Sequence, residues 1–215
     1  NWHAHHNGSI EPMAWIDGLD IPFSSYTESQ FFEVGRDKLD PQEYIKPARS
    51  RSERLWAHPG LRPVSQQADQ AASPLLAYRW EDRDRALSEQ LALEDEGYSA
   101  TLSPGHAAVR YTNPMNGRDV LPTIRCEMHR IRSGAHTRTK REVGSSVIQV
   151  FDGQGSVTVG EHQWEVKRGD MFVIPSWQPF TAICAADHAS LDLFRFSDTP
   201  IVEAVHAYRE QFDTP

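Results

Sequence analysis

The sequence predicts an all-β fold, a small antiparallel barrel or sandwich, for its C-terminal half. From about His106 onward, short apolar runs alternate with turn signals such as Asp152–Gly155 and Arg168–Asp170. Many short strands separated by glycine-containing turns are typical of such folds. The predicted strands cover residues 107–112, 121–131, 146–151, 156–159, 163–166, 171–174, 181–185 and 191–196.

Helices are predicted to flank these strands. Residues 80–97 carry an apolar stripe that includes Leu87 and Leu91, with acidic residues on the other face and a glycine stop at Gly97. A final helix is predicted over 201–212, where apolar residues recur near helical spacing. Residues 23–79 are irregular and proline-rich, which indicates a connection with short helices. Its expected buried anchors are Phe31, Phe32, Leu55 and Trp56.

Composition narrows the class of protein. A net charge of -8 argues against a general nucleic-acid binder. No apolar run approaches the length of a membrane span, and no signal peptide is recognisable. Cys126 and Cys184 lack CxxC spacing, so two reduced thiols in a cytoplasmic protein are expected. The chain opens on a motif without an initiator methionine, and we expect a truncated or processed N-terminus.

The most informative stretch is the N-terminal one, which reads NWHAHHNG and then MAWIDGLDIP. If it is a strand, His3 and His5 point the same way, because residues two apart share a face. Neutral imidazole is the commonest protein metal ligand, and a nearby carboxylate such as Asp17 can orient it. The following residues are too apolar and too patterned for the scar of an expression tag, and residues 9–22 are predicted to form a strand pair that Pro22 ends.

These two motifs resemble the second metal motif of the gentisate 1,2-dioxygenase family, which includes salicylate and 1-hydroxy-2-naphthoate ring-cleaving dioxygenases. The resemblance continues more weakly at YTNP, GD, PSW and FSDTP later in the chain. It implies a bicupin, with two β-barrels in one polypeptide and Fe(II) in the first. The chain would then be the C-terminal portion: 1–22 ends the first cupin (jelly-roll) barrel, 23–100 connects, and 101–215 forms the second barrel.

The two-part cupin signature can be laid on the second barrel at four anchors: Gly134, Gly153, Gly169 and Pro175. Its metal-ligand positions are then occupied by Lys140, Glu142, Ser146 and Phe180. A protonated lysine cannot ligate and phenylalanine has no donor, so this barrel is expected to be metal-free. His129 and His136 miss the ligand positions. The basic stretch 125–141 is expected to be a solvated strand face or subunit contact rather than an anion site.

For the first barrel, the resemblance makes His3 the third Fe(II) ligand, because Asn7 follows it with the family spacing. It places His5 beside the metal as a proton-handling residue, and it makes Asp17 a residue that orients a histidine or a substrate hydroxyl. The chain departs from the family pattern at Ala4 and His6, and His6 is an alternative ligand in another register. The other ligands and the arginines that bind the substrate carboxylate would lie upstream.

The implied activity is Fe(II)-dependent ring cleavage of a hydroxylated aromatic carboxylate with dioxygen, in a homo-oligomer, expected to be a homotetramer. Gentisate to maleylpyruvate is the first choice of reaction, followed by cleavage of salicylate and 1-hydroxy-2-naphthoate. A metal-free cupin that acts as a binding or oligomerisation module is the alternative, favoured by the second barrel taken alone. A sugar-binding or isomerase cupin would need an intact metal motif, which this sequence does not show.

Overall fold

A computed structural model describes residues 7–30, 49–66 and 69–213. The chain divides into two units, Asn1–Ser50 and Arg51–Pro215, and each is described by itself. The boundaries predicted from the sequence at residues 22 and 100 remain a prediction.

In the first unit, the strand pair predicted over residues 9–22 is wrong. Residues 12–20 have no regular structure, and helix α1 follows at Ile21–Tyr26. The apolar side chains that suggested strands are exposed here: Ile10 at 99%, Leu19 at 63% and Ile21 at 52%. An isolated strand pair is marginally stable in water, so an apolar pattern alone does not fix one. Phe31 and Phe32 lie outside the described residues.

The second unit contains three helices and nine strands within its described part. The helices are α2 (Arg51–Trp56), α3 (Trp80–Asp95) and α4 (Thr199–Ala204). The strands are β1 (His106–Arg110), β2 (Arg125–Arg132), β3 (Lys140–Glu142), β4 (Ser146–Val159), β5 (His162–Lys167), β6 (Met171–Ile174), β7 (Phe180–Cys184), β8 (Ser190–Ser197) and β9 (Glu210–Phe212). The predicted all-β class and the predicted helix at 80–97 are confirmed.

The strands form one curled antiparallel sheet in the order β1-β2-β8-β4-β7-β3-β9, with β5 and β6 also paired to β4. Strand β4 connects the two parts of this sheet. Its first half pairs with β6 and β8, and its second half pairs with β5 and β7. The sequence predicted two strands there, but the structure has one, with a register shift between Val150 and Asp152.

Glycine is required where β4 changes partners. Gly153 has a φ of +86°, and a Cβ there would lie 2.0 Å from the Ser190 carbonyl oxygen. A Cβ on Gly155 would lie 2.1 Å from the Ile183 carbonyl oxygen. Neighbouring backbones can therefore approach β4 closely only because these positions lack a side chain.

The main core lies inside the curled sheet and is built from alternate residues of its strands, among them Ile131, Val150, Val157, Leu191 and Leu193. Helix α3 covers another part of the sheet by burying Leu87 and Leu91 against Ala107 and Met128. Each fully buried side chain of this kind contributes roughly 1.5–3 kcal/mol.

A smaller cluster joins Trp56, Leu75 and Met115. Trp56 is buried as predicted, whereas Leu55 is 42% exposed, so that predicted anchor is wrong. Helix α2 is only six residues long, and its buried side chains are Glu53 and Trp56, three residues apart on one face. Leu55 lies on the opposite side of the helix.

The predicted final helix over 201–212 is also wrong beyond its first turn. Helix α4 ends at Ala204, and His206 adopts a φ of +58°, which helical backbone does not allow. The chain then forms β9, which pairs with β3: Lys140 faces Phe212, Arg141 faces Gln211, and Glu142 faces Glu210. Both strands are three residues long, too short for periodicity to show them.

Two further expectations concern the cysteines and membranes. Cys126 and Cys184 are both free thiols, as predicted. Burial raises the pKa of Cys126 to about 11, so its thiol stays protonated and unreactive near neutral pH. Among the helices of the described part, none is long and apolar enough to cross a membrane.

Candidate functional site

The second unit encloses a cavity of about 320 Å³ within its curled sheet. One wall is apolar and includes Ile148, Ile174, Phe180 and Leu193. The remaining lining is unusually rich in ionisable groups: His106, Arg110, Arg125, Glu127, His129, Arg138, Lys140, Glu142, Arg195, Tyr208 and Glu210. A cavity of this size is at the lower end of the range for small-molecule sites.

Arg195 is the centre of the polar network. It lies on β8 directly opposite Glu127 of β2 and is 8% exposed. Its Nη1 donates to Glu127 Oε2 at 2.7 Å, and its Nε and Nη2 donate to Ser146 Oγ at 3.0 and 2.8 Å. Nη2 also donates to the Glu142 carboxylate. All three nitrogens of the guanidinium thus donate to groups from three other strands.

This network occupies the positions where the cupin signature places metal ligands. Glu142 and Ser146 both bind Arg195, and the Lys140 ammonium lies 2.8 Å from Glu142 Oε2. The Tyr208 hydroxyl donates to the same Glu142 carboxylate at 3.1 Å. Burial and the neighbouring Glu142 carboxylate raise the Tyr208 pKa far above its ordinary value, so the hydroxyl remains a donor.

These residues do not fit a divalent metal. Two cations already share the Glu142 carboxylate, and neither lysine nor arginine can ligate while protonated. Within residues 7–30, 49–66 and 69–213, no three His, Cys, Asp or Glu side chains are grouped so as to hold a metal ion. The Arg195 guanidinium supplies the positive charge at the centre of this network.

Two histidines lie beside this network. His106 Nε2 and His129 Nδ1 are 3.0 Å apart, and their rings stack with centroids 5.2 Å apart. Burial, together with the nearby His129, lowers the pKa of His106 to about 3, so this imidazole is neutral at physiological pH. Burial alone would raise the pKa of Glu127, but His129 and the charge of Arg195 hold it well below its ordinary value.

The buried His106 predicts acid sensitivity. The unfolded chain binds a proton at His106 below pH 6.5, whereas the folded chain does not until about pH 3. The free energy of unfolding should therefore fall as the pH drops below 6.5, by up to about 1.4 kcal/mol per pH unit. Below about pH 4.5, unfolded Glu127 also takes up a proton that the folded carboxylate resists, which adds to the loss. Urea unfolding between pH 7 and 4 measures this slope.

A matched pair of variants isolates His106. His106→Gln should flatten the slope between pH 6.5 and 4.5, since glutamine has no proton to bind. His162→Gln, at an exposed position on β5, should leave it unchanged. An equally steep slope in His106→Gln would assign the acid sensitivity to other groups.

Of the three site residues predicted from the sequence, the described part of the structure contains Asp17 alone. His3 and His5 lie outside the described residues. Asp17 lies in the irregular segment before α1 and is exposed. Their roles stay predictions.

The cavity network was not predicted from the sequence. Residues 125–141 were expected to form a solvated strand face or a subunit contact. Arg125 is only 6% exposed and donates to Asp119 at 2.9 Å and to Glu203 at 2.7 Å, so that expectation is wrong for Arg125. His129 is half-buried and His136 exposed. One signal was available: Arg195 interrupts the apolar run LDLFRF, and a charge inside such a strand is usually paired.

Comparison with known proteins gives the chain its relatives. No protein-family profile matches it. It is 51% identical over 204 residues to a gentisate 1,2-dioxygenase of a Streptomyces species, covering 95% of this chain and 55% of that protein. It is 31% identical over 212 residues to a 5-aminosalicylate 1,2-dioxygenase of a Comamonas species, covering 98% of this chain and 53% of that protein.

A solved structure gives the same result. A salicylate 1,2-dioxygenase variant from Pseudoaminobacter salicylatoxidans, in complex with gentisate, is 53% identical, with a TM-score of 0.91 over 97% of this chain and 56% of its own.

The curled antiparallel sheet and this match define the class of protein: a cupin, similar to ring-cleaving dioxygenases. The particular family is that of the gentisate 1,2-dioxygenases, so the resemblance carried by the WHAHHNG and WIDGLDIP motifs is confirmed along nearly the whole chain. The chain spans about half the length of the curated relatives it matches.

Proposed function

We propose that the protein carrying this chain is an Fe(II)-dependent ring-cleaving dioxygenase that acts on a hydroxylated aromatic carboxylate, with conversion of gentisate to maleylpyruvate as the first candidate. One observation carries the proposal: 51% identity over 95% of the chain to a protein named gentisate 1,2-dioxygenase. Relatives named for 5-aminosalicylate and for 1-hydroxy-2-naphthoate keep related substrates open.

The chain's own contribution to the site is its N-terminal motif. In this proposal His3 donates an imidazole nitrogen to the iron, and His5 holds or moves a proton at the substrate. The Asp17 carboxylate accepts a hydrogen bond from a histidine or from a substrate hydroxyl. Bound Fe(II) would supply electron transfer between the aromatic ring and dioxygen.

A single imidazole holds iron weakly, because a stable three-histidine site needs further ligands. By resemblance to the family, we propose that the remaining ligands come from sequence outside these 215 residues, and that the isolated chain does not retain iron and is inactive. By the same resemblance we propose a cytoplasmic homotetramer and the barrel boundaries at residues 22 and 100.

The second barrel has a structural part in this proposal. Its signature positions form the Arg195 network, which cannot ligate iron while those cations stay protonated. Its role is to complete the fold and to hold the cavity described above.

The test is oxygen uptake by the intact gene product with added Fe(II), using gentisate, salicylate and 1-hydroxy-2-naphthoate in turn. Iron-dependent uptake with at least one of them, and loss of uptake after chelation of the metal, is the expected result. A folded, iron-containing protein that consumes no oxygen with any of the three would refute the proposed substrate class.

A metal-free binding or oligomerisation module is the second candidate function. The observation that favours it is the cavity itself, because its lining side chains do not suit a metal ion but can form hydrogen bonds. Metal analysis separates the two functions: an intact gene product that binds no iron and takes up no oxygen would be such a module.

A further inference from the structure

The cations that line the cavity of the second unit are not all paired with a carboxylate. The lining holds five cationic side chains. Four of the cations lie within 4.0 Å of a carboxylate: Arg110, Arg125, Lys140 and Arg195. The fifth is Arg138, and within the described residues no carboxylate lies within that distance of it.

Arg138 is held in place by an aromatic ring instead. Its guanidinium carbon lies 4.3 Å from the centroid of the Phe212 ring, on β9. The Lys140 ammonium lies 5.9 Å from the same centroid. Arg138 is exposed, so it marks the solvent side of the cavity, where its planar donors remain available for an anion.

A second unused donor lies deeper. The Nε2 atom of His129 is buried and has no hydrogen-bond partner among the described residues. It lies 3.8 Å from Glu127 Oε2, which is beyond hydrogen-bonding distance. The negative Glu127 favours the tautomer with hydrogen on Nε2, because a lone pair facing a carboxylate is unfavourable. His106 Nε2 then donates to His129 Nδ1 across their 3.0 Å contact.

The rest of the cavity is suited to an apolar body. Ile148 and Leu193 are each 2% exposed and form part of the wall, and Phe180 packs against the same core. Apolar walls with a few polar groups that face inward are the usual composition of small-molecule sites. An arginine without a carboxylate partner and an N–H group without a hydrogen-bond partner can both bind an acceptor oxygen.

We propose that this cavity binds a small organic carboxylate, with its carboxylate on Arg138 and its apolar body against Ile148, Leu193 and Phe180. His129 Nε2–H donates to a further oxygen of the ligand or to a water that bridges to it. A neutral ligand would leave Arg138 without a counter-charge. This site is built by the second barrel alone and does not depend on the proposed iron site.

The probe is benzoate, with the neutral amide benzamide as its charge-free counterpart. Crystals of the intact gene product are soaked in 4-bromobenzoate, and the anomalous signal of bromine locates the ligand. Calorimetric titrations with benzoate use a His3→Ala host, so that binding at the proposed iron site does not contribute. We expect bromine density in the cavity and at least tenfold weaker binding of benzamide.

Arg138→Gln is the decisive variant, because Arg138 is exposed and its loss should leave the fold intact. It should weaken benzoate binding at least tenfold, whereas Arg85→Gln, at an exposed position on α3 away from the cavity, should not change it. Cavity density at saturating 4-bromobenzoate together with this contrast would establish the site. An empty cavity, or equal affinity in the wild type and Arg138→Gln, would overturn it whatever the outcome of the oxygen-uptake assay.

Discussion

His3→Ala in the intact gene product should reduce iron-dependent oxygen uptake by more than about 100-fold. Loss of a partner in the outer shell of a metal site typically costs 10–100-fold in metal affinity or activity, and loss of a direct ligand should cost more. The substitution should also lower the iron content of the purified protein, because alanine offers the metal no donor. Steady-state oxygen uptake with gentisate and metal analysis of the same preparation measure both effects.

His6→Ala is the matched control, since it removes an imidazole from the same motif. It should keep most of the iron and most of the uptake. The reverse pattern, with His6→Ala inactive and His3→Ala active, would show that His6 and not His3 is the iron ligand. Equal, wild-type activity of both variants would exclude His3 and His6 as iron ligands.

Arg195→Ala should destabilise the second unit by about 3–5 kcal/mol, because it removes the buried cation that two largely buried carboxylates share. The side chains of Glu127 and Glu142 are only 16% and 11% exposed, so water cannot replace the guanidinium well. The Ser146 hydroxyl oxygen also loses the two hydrogen bonds that it accepts from Arg195. Urea denaturation at pH 7 measures the loss in the free energy of unfolding.

Two comparisons separate the charge from general loss of packing. Arg132→Ala removes a pair whose side chains are 36% and 61% exposed, and it should cost no more than about 1 kcal/mol. Neutralising the partners together, in Arg195→Met with Glu127→Gln and Glu142→Gln, should restore most of the stability that Arg195→Ala loses. A triple variant no more stable than Arg195→Ala would show that the ion network is not the cause.

These results would explain in physical terms how the Arg195 network stabilises the second unit. The Arg195 guanidinium supplies a positive charge beside Glu142, one of the residues at the predicted metal-ligand positions. The pairing of β8 with β2 holds it next to Glu127. The stability of this ion network should depend on the protonation of its carboxylates and not on the concentration of iron. The pH dependence predicted from His106 and Glu127 tests the same network from the acid side.

The sequence determined the β class and most of the elements of the second unit. The strand predicted at 171–174 has the bounds of β6, and the helix predicted at 80–97 differs from α3 only at its end. Alternating apolar residues and glycine turns are local signals, so they could be read without the fold. The family could be recognised from the WHAHHNG and WIDGLDIP motifs for the same reason, because they are short and contiguous.

Only the tertiary structure decided features that depend on residues far apart in the chain. The segment 210–212 became a strand because β3, about 70 residues earlier, offered a free edge to pair with. Arg195 became a central cation because β2, β3 and β4 bring Glu127, Glu142 and Ser146 to one place. Each of these side chains is unremarkable in its own stretch of sequence. Burial, and the electrostatic coupling that follows from it, arise only when the strands pair, and no local pattern encodes them.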